Sequence, residues 1–252
     1  MAKTAAIEVV TRDGVASLSL VHPPTNHLTR SMVQDLARHV DALEKDDSVR
    51  AVVVSGGSGH FSGGLDMEEW ASLSPKEAQE EIRRGQDALW ALEHLSKPTV
   101  AAITGLCRGA GLDVALACDV RISADDASFA HPEVDIGWMP SHGGTPRLLR
   151  VLGRSRAMEF LVTGKSLRAI DVLRLGLVDH LAPPDQVMGQ ATELAKVLAA
   201  KPRAAVRAIK RALVEGEEKP YRNRFVLEAQ HATQLLHDEE YKAAVARARK
   251  AK

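Results

Sequence analysis

Cysteine is almost absent from this chain: 252 residues carry two, Cys107 and Cys118. They lie close together in apolar surroundings, with no neighbouring His or Cys cluster. That excludes a disulfide framework and a zinc site of ordinary ligand spacing, and fits free thiols in a reducing compartment. Net charge is absent too, with 33 basic residues against 33 acidic ones. Aromatic residues are scarce at 4% and are not interleaved with a basic face, so nothing invites nucleic acid. No apolar run approaches the length of a membrane span. The opening segment MAKTAAIEVV lacks a secretory apolar stretch, and strand-like alternation begins by about Ile7. The expectations are a cytoplasmic location, no metal, no cofactor, and neither nucleic acid nor membrane as partner. What the chain does have is apolar residues, at 45%, enough for one large domain or two small ones.

Strand patterns at Ile7–Val10 and Val15–Val21 flank Arg12-Asp13-Gly14, a hairpin signal. Thr29 is placed to cap a helix running to about Lys45, with Met32, Val33, Leu36, Val40 and Leu43 on one face. Val49–Ser55 reads as a strand buried in a parallel sheet. Pro75–Leu95 predicts a long amphipathic helix, and its length favours a core position for Trp90. Further strands are expected at Thr99–Thr104, Val120–Ser123, Ser128–Ala130 and Leu177–Leu181, and helices near 111–117, 142–152 and 154–162. Ser166 is expected to cap a helix through Leu173. From Asp185 onward the pattern is all helix, with no sheet left for those helices to cover. Alternating strands and helices up to about residue 182 argue a mostly parallel sheet with right-handed crossovers.

Two glycine-rich stretches stand out. Gly56 to Gly64 holds five glycines in nine residues and matches neither a phosphate-binding loop nor a dinucleotide fingerprint. A binding loop and a flexible surface loop both fit it. The second stretch runs from Ala101 to Arg147. An apolar strand leads into Gly109-Ala110-Gly111 and a helix whose first turn holds Asp113; Glu133 follows twenty residues later, after a proline in a loop. Backbone N–H groups at a strand-to-helix corner can hold an anion, and a nearby acid can move a proton on whatever is held. Such a pairing suits chemistry next to a carbonyl. The same residues also fit close helix–strand packing, a favourable charge in a first helical turn, and a surface acid.

Phe61-Ser62-Gly63-Gly64-Leu65-Asp66-Met67 resembles the F-[SA]-x-G-x-D-[LI] segment of the crotonase superfamily, the enoyl-CoA hydratase/isomerase family. Pro98-Thr99-Val100-Ala101-Ala102-Ile103-Thr104-Gly105, Gly109-Ala110-Gly111, Cys118-Asp119, Phe129, Pro132-Glu133, Gly137, Pro140, Gly143-Gly144 and Arg147-Leu148 continue the resemblance in order. It extends from about residue 7 to the end. It implies an α/β fold, a crotonase-like spiral of ββα turns over residues 1–182, with a helical C-terminal region over 183–252 that serves oligomerisation and covers the active site. It also implies an acyl-CoA thioester substrate, with coenzyme A as part of the substrate and no separate cofactor, and a homotrimer or a homohexamer built as a dimer of trimers.

The resemblance maps two backbone N–H donors for the thioester oxygen onto Leu65 and Ala110, and two water-holding glutamates onto Asp113 and Glu133. Asp113 departs by one methylene. Substrate contacts are expected from Ser62, Gly63, Gly64, Asp66, Gly109, Trp70, Trp138 and Ser141. Dienoyl-CoA isomerases of the family carry an Asp–Glu pair at the two acid positions, but also a further Asp where this chain has Ser141. Ser141 reads as a helix cap, and His142 either as a titrating group near the site or as a surface or capping residue. Asp135 would share a side with Glu133 if the segment were extended. Hydration of an enoyl-CoA is the leading expectation. Isomerisation of an enoyl- or dienoyl-CoA, decarboxylation of an acyl-CoA, and an acyl-CoA-binding scaffold without turnover are the alternatives.

Overall fold

The structure, a computed structural model, describes residues 6–57 and 59–250. Strands β1 (Ala6–Arg12) and β2 (Val15–Val21) pair antiparallel across a tight turn in which Asp13 and Gly14 both take positive φ. Helix α1 (Arg30–Lys45) starts where Thr29 accepts from the Met32 N–H, and buries the five apolar residues expected of it. Strand β3 (Ala51–Gly56) is followed by the short helix α2 (Met67–Ala71) and by α3 (Pro75–Glu93), which opens with a Ser74–Glu77 capping box.

Next come β4 (Thr99–Ile103), β5 (Leu106–Arg108), α4 (Ala110–Leu116), β6 (Val120–Ala124) and β7 (Ser128–Ala130). A 3-10 helix, Pro132–Ile136, precedes α5 (Gly144–Leu152) and α6 (Arg154–Thr163). The chain continues through β8 (Leu167–Arg168), α7 (Ala169–Arg174) and β9 (His180–Ala182), then α8 (Val187–Ala199), α9 (Arg203–Glu217), α10 (Tyr221–Leu235) and α11 (Glu239–Lys250).

The main sheet has the order β1-β2-β3-β4-β6-β9 and is parallel from β2 onward. A second sheet, β5-β7-β8, stands after it in each turn of the chain. One strand goes into the large sheet, the chain turns a corner, a short segment goes into the small sheet, and a helix follows. β4–β5–α4 and β6–β7–3-10 helix are two such turns. After β3, Ser62 forms a single bridge to Cys107 of β5, which makes a third. This is the expected spiral of ββα turns. Val52, Val53 and Val54 of β3 are fully buried, as a continuous apolar strand in a covered parallel sheet should be.

Several expectations need correction. Helix α8 packs on β2, β3, β4 and β6, so the C-terminal region does cover sheet. Trp90 is 49% exposed and stacks on His94, because it falls on the outer face of α3. Glu133 lies in a 3-10 turn, since Pro132 at its first position favours helical φ. Ser166 caps no helix: its hydroxyl pairs with that of Ser128 at 2.6 Å, and residues 167–168 form β8 before α7 begins. No helix of the described residues is long and apolar enough to cross a membrane.

Buried charge ties the elements behind the glycine corners. Glu93 at the end of α3 accepts from Arg147 Nε and Nη2 of α5 at 3.1 and 2.7 Å, and pairs with Arg150 at 2.8 Å. Burial opposes charge on Glu93, but Arg147 and Arg150 outweigh it and hold the carboxyl below its usual range. Arg147 also donates to the His142 carbonyl at 3.1 Å, so the clamp fixes the turn entering α5. Replacing one member of a buried pair strands the other in low dielectric. Arg147→Leu should therefore lower unfolding stability by about 3 kcal/mol, read from the midpoint of urea denaturation; an unchanged midpoint would refute the clamp.

Candidate active site

The site is built on two backbone corners. Past β3, Phe61 and Ser62 donate to the Thr104 and Leu106 carbonyls at 2.8 and 2.9 Å, and Arg108 donates back to Ser62 at 2.9 Å. The Phe61–Ser62 end of the glycine-rich loop is thereby laid along the β4–β5 connection. Ser62 is fully buried; its hydroxyl donates to the Asn26 carbonyl at 2.7 Å and accepts from Gly64 N–H at 3.2 Å. Gly63 donates to Thr25 at 2.8 Å, and Asp66 caps α2 by accepting from Glu68 and Glu69. Of the expected substrate contacts, Ser62, Gly63 and Asp66 thus hold the corner.

Gly64 has φ +100 and Gly109 φ +51, conformations that a residue with a Cβ rarely adopts. Their backbones lie near one another. A Cβ on Gly64 would stand 3.1 Å from the Arg108 carbonyl oxygen and 3.7 Å from Gly109 Cα. The next residues are Leu65 and Ala110. Leu28 donates to Gly64 and Asp66 donates to Leu28, which passes over the Leu65 N–H. Ala110 opens α4, where an N–H has no carbonyl within its own helix. Among the described residues neither N–H has an acceptor, and the two sit on neighbouring corners.

Asp113 lies one turn into α4 and is 1% exposed. The residue that joins it to Glu133 is His131, which sequence reasoning missed. It ends β7's apolar run and is 1% exposed. Its Nε2 stands 3.0 Å from Asp113 Oδ1, and its Nδ1 is 3.1 Å from Glu133 Oε2. The second contact is an aligned hydrogen bond. The first is an ion pair at contact distance without hydrogen-bond alignment, so both Asp113 oxygens are buried with no aligned donor. Burial opposes charge on the imidazole, but Asp113 and Glu133 outweigh it and push His131 up to about 9. At neutral pH it is an imidazolium between two carboxylates. A histidine in His131-Pro132-Glu133, directly after a buried strand, was the available signal.

Glu133 turns its other oxygen to the corners: a Cβ on Gly109 would lie 2.5 Å from Oε1. Glu133 Oε1 therefore faces Gly109, the residue just before Ala110. Beside Leu65 opens a cleft of about 530 Å³, lined by Met67, Trp70, Leu73, Ile82 and Trp138. Its lining is apolar except for Gln79. Trp70 is buried and Trp138 exposed, and both face this cleft.

His142 is neither a surface residue nor a cap. It is buried against Gly85 of α3 and meets Trp70 edge-on at 5.6 Å. Burial holds its pKa below the ordinary value, against the pull of Asp113 and Glu133. Ser141 bonds His142 Nδ1 at 3.0 Å, and the α5 cap is Gly143 instead, since the turn there needs positive φ. Asp135 is exposed and lies against Gly164 at the end of α6, because a 3-10 turn lacks the alternation of a strand. Among the described residues no group of three His, Cys, Asp or Glu could hold a metal ion.

Residues 10–252 match the family model described as enoyl-CoA hydratase/isomerase. A probable enoyl-CoA hydratase of Mycobacterium tuberculosis is 41% identical over 197 residues, covering 78% of this chain and 76% of that protein. One from Bacillus subtilis is 32% identical over 242 residues, covering 95% and 94%. Among solved structures, an enoyl-CoA hydratase from Bacillus anthracis superposes with TM-score 0.93 at 26% identity, covering 98% of this chain and 96% of that one. DspI of Pseudomonas aeruginosa superposes with TM-score 0.94 at 29% identity, covering 98% and 94%.

The Gly109 geometry makes a direct forecast. Gly109→Ala forces a Cβ into positive φ and against Glu133 Oε1. It should cost of order 1–3 kcal/mol of stability, measured by chemical denaturation; full wild-type stability would contradict the geometry.

Proposed function

This chain belongs to the enoyl-CoA hydratase/isomerase family, and from that premise we propose that it hydrates the C2–C3 double bond of an enoyl-CoA thioester. The observation that carries the reading is Glu133 Oε1 facing Gly109, beside the Ala110 N–H, which like the Leu65 N–H after Gly64 has no acceptor among the described residues. The thioester oxygen accepts from the two N–H groups. Their dipoles are fixed before the reaction and stabilise the enolate oxygen by a few kcal/mol each. Glu133 Oε1 takes a proton from water as the water oxygen bonds to C3 and the C2–C3 π pair moves onto the thioester. The same carboxyl returns a proton to C2 as the enolate collapses. Atoms and charge then balance with no other reagent. Asp113 supports Glu133 from the far side of His131.

The acyl chain runs into the cleft between Trp70 and Trp138. With no charged side chain in its lining, it suits an uncharged chain and disfavours a second carboxylate. One observation favours isomerisation as a second reading: Asp113 is recessed onto His131, leaving Glu133 as the single carboxylate turned to the corner. A single proton carrier suffices to move a double bond.

Mass-resolved product analysis across straight, branched and carboxyl-ended enoyl-CoA thioesters separates these readings. The expected product is heavier by one water, and Glu133→Gln should lower kcat by about 10²–10⁴-fold. An isobaric product would move the reaction to isomerisation, and wild-type turnover by Glu133→Gln would remove Glu133 from the mechanism.

The C-terminal helices support assembly. Ile209, Leu213, Phe225 and Val226 on α9 and α10 are all more than half exposed, an apolar surface of the kind that copies of a chain cover for one another. Sedimentation equilibrium should give three or six times the chain mass of 27.2 kDa; a monomer would refute this part of the reading.

A further inference from the structure

We propose that His131 is a positioning residue for the reaction: its ring, held between Asp113 and Glu133, ties down Glu133 Oε2 and so aims Oε1 at the Gly109–Ala110 corner. The proposal rests on Glu133 being the proton carrier. It follows from geometry. His131 is too buried to touch substrate, yet its two nitrogens reach two carboxylates brought in by different elements, α4 and the 3-10 helix.

The ring itself has little freedom. Phe160 of α6 meets it edge-on at 6.2 Å, and a Cβ on Gly144 of α5 would lie 3.1 Å from its Cε1. That same Cβ would strike Asp113 Oδ1, so α5 walls both partners. A ring so confined transmits the position of α4 to Glu133.

Charge completes the argument. Two carboxylates held this close repel, and one shared cation relieves both. Of the titratable groups packed nearby, Cys107 and His142 are neutral near pH 7 and Arg147 is already paired with Glu93. Burial, and then Asp113, raises the Cys107 thiol of β5 well above its usual range, and burial keeps His142 uncharged. His131 is therefore the cation that serves the pair. A neutral imidazole keeps an N–H toward Glu133 in one tautomer only, and loses the charge that holds it against Asp113. Above the His131 pKa the clamp opens on one side.

His131 is raised from an ordinary value near 6.5 to about 9. The stability it adds is fully present below pH 6.5 and is lost as pH rises through 9. His131→Gln tests this, with His131→Asn as the second variant, since each keeps a donor without the charge. Two readouts are needed. In thermal melts from pH 6 to 10, the wild-type advantage over either variant should shrink as pH passes about 9; an advantage constant with pH, or none, overturns the clamp. In kinetics, kcat should fall about 10–100-fold with KM nearly unchanged, less than the loss of the carrier itself. The wild-type alkaline limb near pH 9 should vanish in the variants. Variants that melt earlier yet keep kcat and that limb would show His131 to be structural only, and overturn the proposal. Wild-type protein that hydrates no enoyl-CoA would sink the hydratase reading, while the melts would still decide the clamp.

Discussion

Close approach of the Gly64 and Gly109 backbones is the constraint on which the site depends. The two corners come from successive turns of the spiral and both glycines hold positive φ; a Cβ on Gly64 would press on the Arg108 carbonyl oxygen at 3.1 Å, and one on Gly109 would strike Glu133 Oε1. These corners leave the Leu65 and Ala110 N–H groups without acceptors among the described residues. The parallel pairing of β3 with β4 aligns the two turns, and the Ser62–Cys107 bridge fastens them where the strands end. Ser62 then serves as the spacer beneath α4, its Cβ facing Gly111, where another Cβ would come within 2.5 Å. The large sheet supplies alignment, the small sheet supplies the corner, and the chemistry uses backbone atoms that neither sheet needs.

A second layer of the design is electrostatic. Buried charges are costly unless paired, and the chain buries two charged sets around this corner. Glu93 with Arg147 and Arg150 joins α3 to α5. Asp113, His131 and Glu133 join α4, β7 and the 3-10 helix. The first set fixes the turn carrying His142, which backs onto Trp70 and so onto the wall of the acyl cleft. The second fixes the proton carrier. Each set spans elements distant in sequence, so each converts fold geometry into side-chain geometry.

Much of this was legible in the residues. Apolar periodicity located α1, β3 and the C-terminal helices, because their burial follows from simple spacing. The resemblance carried by the ordered glycine motifs mapped Leu65, Ala110, Asp113 and Glu133 as site residues. What escaped shows the limits of local pattern. His131 is marked only by its place before Pro132-Glu133, since its second partner is a carboxylate eighteen residues earlier on another element. Trp90 fell on the outward face of a helix whose buried stripe was wide enough to suggest otherwise. His142 reads as polar and external, yet it is buried because Gly85, on a helix far back in the chain, leaves room for its ring. Ser62 and Asp66 stand inside the recognisable motif but serve its backbone, one as spacer and one as cap.

The shorter acid at position 113 and the histidine at 131 are best understood as one feature. A glutamate on α4 could extend toward the corner on its own. An aspartate in the first turn of α4 stops short, with Oδ1 pressed toward Gly144. The His131 ring spans the remaining gap, with one nitrogen against Asp113 Oδ1 and the other in a hydrogen bond with Glu133 Oε2. The two carboxylates then differ in kind. One is sealed and electrostatic, while the other is 14% exposed and turned to the corner. Unequal environments are what separate the duties of paired acids. Here the separation follows from a side chain one carbon too short to reach and a ring of the right length to answer it.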